Sequence, residues 1–267
     1  MPVIHTAGAD LFWTAHGEGP PCVVVHGGPG MDAAHLRLRL PALPARLIVY
    51  DQRGHGRSTG EPESLQQLAA DLQAVCTAAC GGQPPVVLGH SFGSFVALVH
   101  AAAHPVRALV LVGAAASHAF RDRATAIAEG RATGEQLGAY GRLWDGSLRT
   151  DADFREAWET LFPLYFHDPR QCPRGLPELT FRLQARKRVL PMLAGYDVRQ
   201  ALHAITAPAL VLAGRSDWIT PPAEALQLAL GLPRAALHVF AASGHMPFWE
   251  EPDPFRLLVA DFLRRVA

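Results

Sequence analysis

Pro84-Pro-Val-Val-Leu-Gly-His-Ser-Phe-Gly93 joins a continuous apolar run to a serine flanked two residues away on each side by glycine, and a helical run of small residues follows it over 93–103. A chain that leaves a buried strand, turns sharply and enters a helix within three residues holds the central residue in a strained conformation. Side chains at the positions two before and two after would clash, so both must be small. Gly89 and Gly93 meet that demand. Ser91 is then presented at the C-terminal end of a strand, with the free N–H groups and partial positive charge of a helix N-terminus beneath it. These are the requirements of a nucleophilic serine, and Ser91 is the candidate nucleophile.

Outward from this turn, the same apolar texture recurs at 22–25, 46–50, 85–88, 107–112, 208–213 and 236–240. Each run is too continuous for a half-solvated strand, which points to a parallel sheet covered on both faces. Helical patterns lie between them at 64–79, 93–103 and 222–230. The alternation predicts an α/β fold with a doubly wound, mostly parallel sheet. Segments 3–6 and 11–15 are expected to pair as an antiparallel hairpin at the start of the chain. The pattern breaks over 117–203, a stretch with helical periodicity and no strand signal that holds ten of the chain's 21 aromatic residues. This predicts a core of 1–116 and 204–267 with a helical cap inserted at 117–203. The aromatics of the insertion, Tyr140, Trp144, Trp158, Phe162, Tyr165 and Phe166 among them, can build its own core or line an apolar pocket over the sheet; some of each is expected.

A serine hydroxyl needs a base, and the base needs an orienting carboxylate. His245 follows the last expected strand in Ser243-Gly-His-Met-Pro247, from where it can reach back over the sheet edge to Ser91. Among the other twelve histidines, His26, His90 and His104 flank strands or helices and read as structural, whereas His55 lies in a loop and is the serious rival. Asp217, in Gly214-Arg-Ser-Asp-Trp218, leaves the preceding strand at the same edge. Asp51 also ends a strand, but within Asp51-Gln-Arg-Gly54 it reads as a loop brace with its neighbouring arginine. A second serine in the same local pattern, Ser58 of Gly56-Arg-Ser-Thr-Gly60, has no strand entering it and reads as structural. A tetrahedral intermediate needs two N–H donors for its oxyanion. The backbone of Phe92, directly after the serine, is one. The other is expected from the loop His26-Gly-Gly-Pro-Gly30, where glycine lets the backbone approach closely and proline stiffens it; Gly28 is the candidate.

Composition narrows the partners. The chain has 267 residues, 49% of them hydrophobic, with 24 basic and 24 acidic side chains. A net charge of zero offers no long-range field to draw nucleic acid or an anionic membrane, and a small, mostly apolar substrate is expected instead. No segment has the roughly 20 apolar residues of a membrane span, and the first twelve residues lack the basic start and apolar run of a signal peptide. A cytoplasmic protein, monomeric or homodimeric, is expected. Cys22, Cys76, Cys80 and Cys172 show no metal-ligand spacing; Cys76 and Cys80 share a helical face as small core residues. There is no GxGxxG, no phosphate-loop lysine and no metal-spaced His/Cys cluster, so neither cofactor nor metal is expected.

Three motifs together, His26-Gly-Gly-Pro-Gly30, Asp51-Gln-Arg-Gly-His-Gly-Arg-Ser58 and Gly89-His-Ser-Phe-Gly93, resemble the proline iminopeptidase branch of the α/β-hydrolases. The resemblance spans residues 22–255. It implies an α/β-hydrolase sheet with a helical cap, a Ser–Asp–His triad in the order Ser91, Asp217, His245, and an oxyanion donor at Gly28. Iminopeptidases hold the free amino group of the substrate with glutamates of the cap. Here no such signature stands out: Glu156, Glu159 and Glu178 are candidates that read as solvated helix residues. The expected activity is hydrolysis of a small ester, lactone or amide through an acyl-enzyme on Ser91. The alternatives are an aminopeptidase or, in another class, a ligand receptor on a hydrolase scaffold.

Overall fold

The computed structural model describes residues 2–173, 176 and 178–266. Its chain opens with β1 (Val3–Thr6) and β2 (Ala9–His16), paired antiparallel with Val3 opposite Phe12. There follow β3 (Pro21–Val25), α1 (Ala34–Arg39), β4 (Arg46–Tyr50), α2 (Leu65–Ala79), β5 (Val86–His90), α3 (Phe92–Ala103) and β6 (Ala108–Val112). Four α-helices come next: α4 (Phe120–Arg131), α5 (Gly134–Trp144), α6 (Asp151–Leu161) and α7 (Leu183–Ala194). The chain then returns to the sheet through β7 (Ala209–Gly214), α8 (Pro222–Gly231), β8 (Ala235–Phe240), α9 (Pro247–Glu250) and α10 (Pro252–Val266).

The eight strands form one sheet in the order β1-β2-β4-β3-β5-β6-β7-β8, parallel from β4 to β8. Consecutive residues of a strand point to opposite faces. Cys22, Val24, Val86, Leu88, Val110 and Val112 therefore enter one core layer, and Val23, Val25, Val87, Leu109 and Leu111 enter the other. Both faces are covered, which is why these strands read as continuous apolar runs. The last strand departs from that expectation. β8 lies at the edge of the sheet, and Ala236 to Val239 are exposed. Its leucine and valine reflect strand propensity on an open flank, not burial.

Two of the four α-helices between β6 and β7, α5 and α6, carry their own start signals. Thr133 and Thr150 both close capping boxes, with Gln136 and Asp153 reaching back to the cap N–H groups. Asp151 then accepts the N–H of Leu183 at 2.7 Å, tying α6 to the start of α7. Two isolated bridges frame this helical region: Met31 with Phe181 ties it to the loop after β3, and Ser117 with Asp197 closes its own two ends. Its aromatics do both things expected of them. Trp158 stacks on Phe162 at 4.2 Å between centroids within a buried core, and Phe154 and Phe166 are buried with them; Phe120, Tyr140, Trp144, Trp158 and Tyr165 also face a cavity above the sheet. Among the described residues no helix is long and apolar enough to cross a membrane.

Candidate active site

Ser91 sits between β5 and α3 with φ +53° and ψ −125°, the one non-glycine residue with positive φ among those described. Its N–H is tied to the carbonyl of Val112 at 2.8 Å. The glycine positions around it leave no room for a side chain. A Cβ on Gly89 would stand 2.6 Å from Ser94 Cα, one on Gly93 would stand 2.1 Å from the carbonyl oxygen of Val25, and one on Gly27 would stand 2.7 Å from Ser91 Cβ. The strain at Ser91 is held by packing on three sides, the condition under which such a conformation persists. Phe92 is the first residue of α3, so its N–H has no partner within the helix.

Asp217 and His245 arrive on the loops after β7 and β8. The loops interlock: a Cβ on Gly214 would lie 1.8 Å from the carbonyl oxygen of Gly244, and the N–H of Ser216 donates to the carbonyl of Ser243 at 2.9 Å. Asp217 Oδ1 accepts the N–H groups of Ile219 and Thr220 at 2.9 and 3.0 Å. Its Oδ2 accepts Thr220 Oγ1 at 2.9 Å and His245 Nδ1 at 2.7 Å. Both Asp217 and His245 are buried. With Nδ1 committed as donor to the carboxylate, Nε2 is left as the basic nitrogen of His245; among the described residues it has no hydrogen-bond partner, and the ring lines the same cavity as Ser91. The backbone N–H of His245 donates to the carbonyl of Tyr165 at 2.7 Å, so the helical region helps to place it.

Two further imidazoles crowd this one without competing for charge. His90 donates from Nε2 to the carbonyl of His245 at 3.1 Å, and His35 lies 5.6 Å from His90 between ring centroids. Burial, reinforced by the neighbouring histidines, pushes His90 well below the usual histidine range, and burial pushes His35 to about 4. Both are neutral near pH 7.

The rivals occupy structural positions. Ser58 donates to the carbonyl of Asp51 at 2.6 Å and accepts the N–H of Phe12 at 2.9 Å, pinning β2 to the loop after β4. His55 donates from Nδ1 to the carbonyl of Arg53 at 2.7 Å. Asp51 accepts the N–H groups of Ala33 and Arg57 at 3.2 and 3.1 Å and pairs with Arg37; its neighbour Arg53 pairs with Asp71 instead. Cys22, Cys76 and Cys80 are buried in the core, and all four cysteines are free thiols.

Gly28 adopts φ +64° at the cavity floor, where a Cβ would meet Met31 Cε at 2.2 Å. The walls are mostly apolar, but two guanidiniums that sequence reasoning missed, Arg121 and Arg186, are part of them. Arg186 was legible in principle: Leu183, Arg186, Leu190 and Leu193 recur at helical spacing, which places an arginine on the buried stripe of α7. None of the described residues lining the cavity is acidic. Glu156 and Glu159 pair with Arg142 and Arg155 on the outside of the helices, and Glu178 is not among the cavity walls.

Comparison with known proteins places this arrangement in context. A sequence model described as the alpha/beta hydrolase fold matches residues 20–252. The chain is 30% identical to a pimeloyl-acyl-carrier-protein methyl ester esterase of Vibrio parahaemolyticus, covering 95% of this chain and 98% of that one. It is 28% identical to a proline iminopeptidase of Pestalotiopsis fici, over 92% and 93% of the two lengths. Among solved structures, a thermophilic esterase from Thermogutta terrifontis superposes with a TM-score of 0.72 at 26% identity, covering 99% of this chain and 97% of that one.

Proposed function

This chain belongs to the alpha/beta hydrolase fold family, and on that footing we propose that it hydrolyses a small, largely apolar ester, lactone or amide through an acyl-enzyme on Ser91. What carries this reading is one conjunction: a serine held at φ +53° shares a cavity with a histidine whose other nitrogen is bonded to a buried carboxylate. In this mechanism His245 Nε2 takes the proton of Ser91 Oγ as the hydroxyl oxygen attacks the carbonyl carbon. Asp217 holds the imidazole in the tautomer that leaves Nε2 free and stabilises the imidazolium that forms. The N–H groups of Phe92 and Gly28 receive the oxyanion. His245 then returns the proton to the leaving group, and water repeats the sequence to release the acid. The helices of 117–203 act as the cap that closes the apolar chamber over Ser91.

The esterase names of the Vibrio and Thermogutta proteins support the ester reading. The iminopeptidase name supports an aminopeptidase, but the cavity weighs against that alternative. A substrate ammonium would meet Arg121 and Arg186 and no carboxylate among the described lining residues, a like-charge placement that costs binding. The experiment is labelling with a fluorophosphonate probe alongside a turnover panel of acyl esters, lactones and proline anilides. Ser91→Ala should abolish labelling, and the esters or lactones should be turned over faster than the anilides. Full-stoichiometry labelling of Ser91→Ala would refute the assignment.

A further inference from the structure

The cavity walls concentrate hydrogen-bond donors. Arg186 is only 7% exposed, yet among the described residues it has no carboxylate partner. Its Nη2 donates to the carbonyl of Leu143 at 2.7 Å, while its Nε has no partner among the described residues. Its guanidinium carbon lies 5.3 Å from the centroid of Trp144 and 5.0 Å from that of Phe154. Arg121, on α4, places its own guanidinium carbon 4.2 Å over the same Trp144 ring, and its Nε is also unpartnered among the described residues. The indole N–H of Trp218, on the same walls, is buried with no acceptor among the described residues.

A buried guanidinium without a counter-ion is expensive, because arginine cannot shed its proton to escape desolvation. Aromatic faces recover part of that cost and leave the rest. Burial lowers the Arg186 guanidinium to about 10, with Arg121 pressing in the same direction; it remains charged at neutral pH. Three residues with unpartnered donors line one chamber, two of them cationic and none answered by an acidic side chain among the described residues, and together they describe a site for an oxygen-bearing anion. The surrounding walls are mostly leucine, phenylalanine, tryptophan, tyrosine and methionine. A singly charged carboxylate is cheaper to desolvate among them than a dianionic phosphate, and its two oxygens match the guanidinium fork.

We infer that the cap chamber selects an acidic substrate, an ester or lactone carrying a free carboxylate that Arg186 and Arg121 bind while the scissile carbonyl rests at Ser91. This specificity rests on the hydrolase reading above. It excludes the amine-bearing substrates of an aminopeptidase and narrows the apolar ester to one with a charged far end.

Two measurements separate the layers. In the first, calorimetry compares glutarate with its uncharged diamide, glutaramide, on the intact wild-type protein, on Arg186→Met, and on Arg121→Gln at the more exposed site as a second variant. Glutarate should bind at least tenfold tighter than the diamide, and either variant should lose at least fivefold of that preference. Equal binding of the two compounds, a preference untouched in the folded variants, or tighter binding of inorganic phosphate than of glutarate would overturn the inference. In the second, kcat/KM is compared for a dicarboxylic acid half-ester and its neutral dialkyl ester. The half-ester should lead by at least tenfold, with that ratio falling in both variants. A lead of the neutral ester would again overturn the inference. Selective glutarate binding without turnover of either ester, and without probe labelling of Ser91, would leave the anion site standing and remove the hydrolase reading.

Discussion

A Cβ built on Gly113 would stand 2.8 Å from His245 Cε1, 3.0 Å from its Nδ1 and 3.4 Å from Asp217 Oδ2. Gly113 directly follows β6 with φ +58°, so it is the floor on which the imidazole rests. An alanine there meets both the left-handed backbone penalty of roughly 1–2 kcal/mol and the ring itself. Gly113→Ala should fold and yet lower turnover by about 10- to 100-fold, since small misplacement of a reacting group is costly. Gly130→Ala is the control: it lies in α4 with nothing within 4 Å, and it should be neutral or stabilising by about 0.5–1 kcal/mol. Steady-state kinetics beside thermal unfolding of both variants tests the pair; wild-type turnover in Gly113→Ala would show that the imidazole is not packed against this position.

Glu250 supplies a pH dependence. Its two carboxylate oxygens accept the N–H groups of Gly244 and His167, each at 2.6 Å, joining the His245 loop to the helical region. Burial raises this carboxyl from its ordinary 4.5 to about 7, outweighing those two bonds. Below about pH 4.5 both folded and unfolded states hold the proton. Between 4.5 and 7 only the folded state does, so stability falls as pH rises through this window and levels off above it. Glu250→Gln should remove that part of the slope. Melting temperatures measured every half unit from pH 5 to 8 should therefore converge on a flatter profile in the variant; identical profiles would contradict the raised carboxyl.

Ser58 has a different signature. Its hydroxyl satisfies two buried backbone groups, the carbonyl of Asp51 and the N–H of Phe12. Removing it strands both, at a cost of about 1–3 kcal/mol. Ser58→Ala should lose stability in denaturant titrations while labelling with a fluorophosphonate remains near wild type. Loss of labelling in a folded variant would reopen the choice between the two serines.

The sheet was legible because parallel strands buried on both faces have no polar side to hide. Val86, Val87 and Leu88 announce themselves, and the order of the strands brings Ser91, Asp217 and His245 to one edge. The edge strand β8 was misread as buried because Leu237 and Val239 carry strand propensity whether or not they are covered. The helical region was legible as a break in rhythm, since its helices obey a different period from the sheet. Its chemistry was not. Arg121 and Arg186 count as solvent-facing residues in any composition argument, and a net charge of zero concealed two cations enclosed by aromatic rings. Which charges a fold encloses depends on how α4, α5 and α7 meet, and that is a tertiary fact. Helical spacing alone marked Arg186; nothing comparable marked Arg121.

The orientation of Asp217 sets the most demanding expectation. Every bond it accepts is directional: Oδ1 faces the N–H groups of Ile219 and Thr220, and Oδ2 faces Thr220 Oγ1 and His245 Nδ1. In Asp217→Asn one of those positions becomes an NH2. If the amide oxygen stays with the two backbone N–H groups, the NH2 faces His245 and requires Nδ1 to accept. The proton of the neutral ring then moves to Nε2, which can no longer take one from Ser91. The packing is preserved and the base is disabled, so turnover should fall by about three to five orders of magnitude with little change in melting temperature. Thr220→Val removes one bond to Oδ2 without reversing the tautomer and should cost far less, about 3- to 30-fold. The imidazole N–H resonances distinguish the two states directly: the downfield Nδ1 proton expected of the wild type should vanish in Asp217→Asn and survive in Thr220→Val. A folded Asp217→Asn enzyme with near-normal turnover would mean that a different carboxylate orients His245.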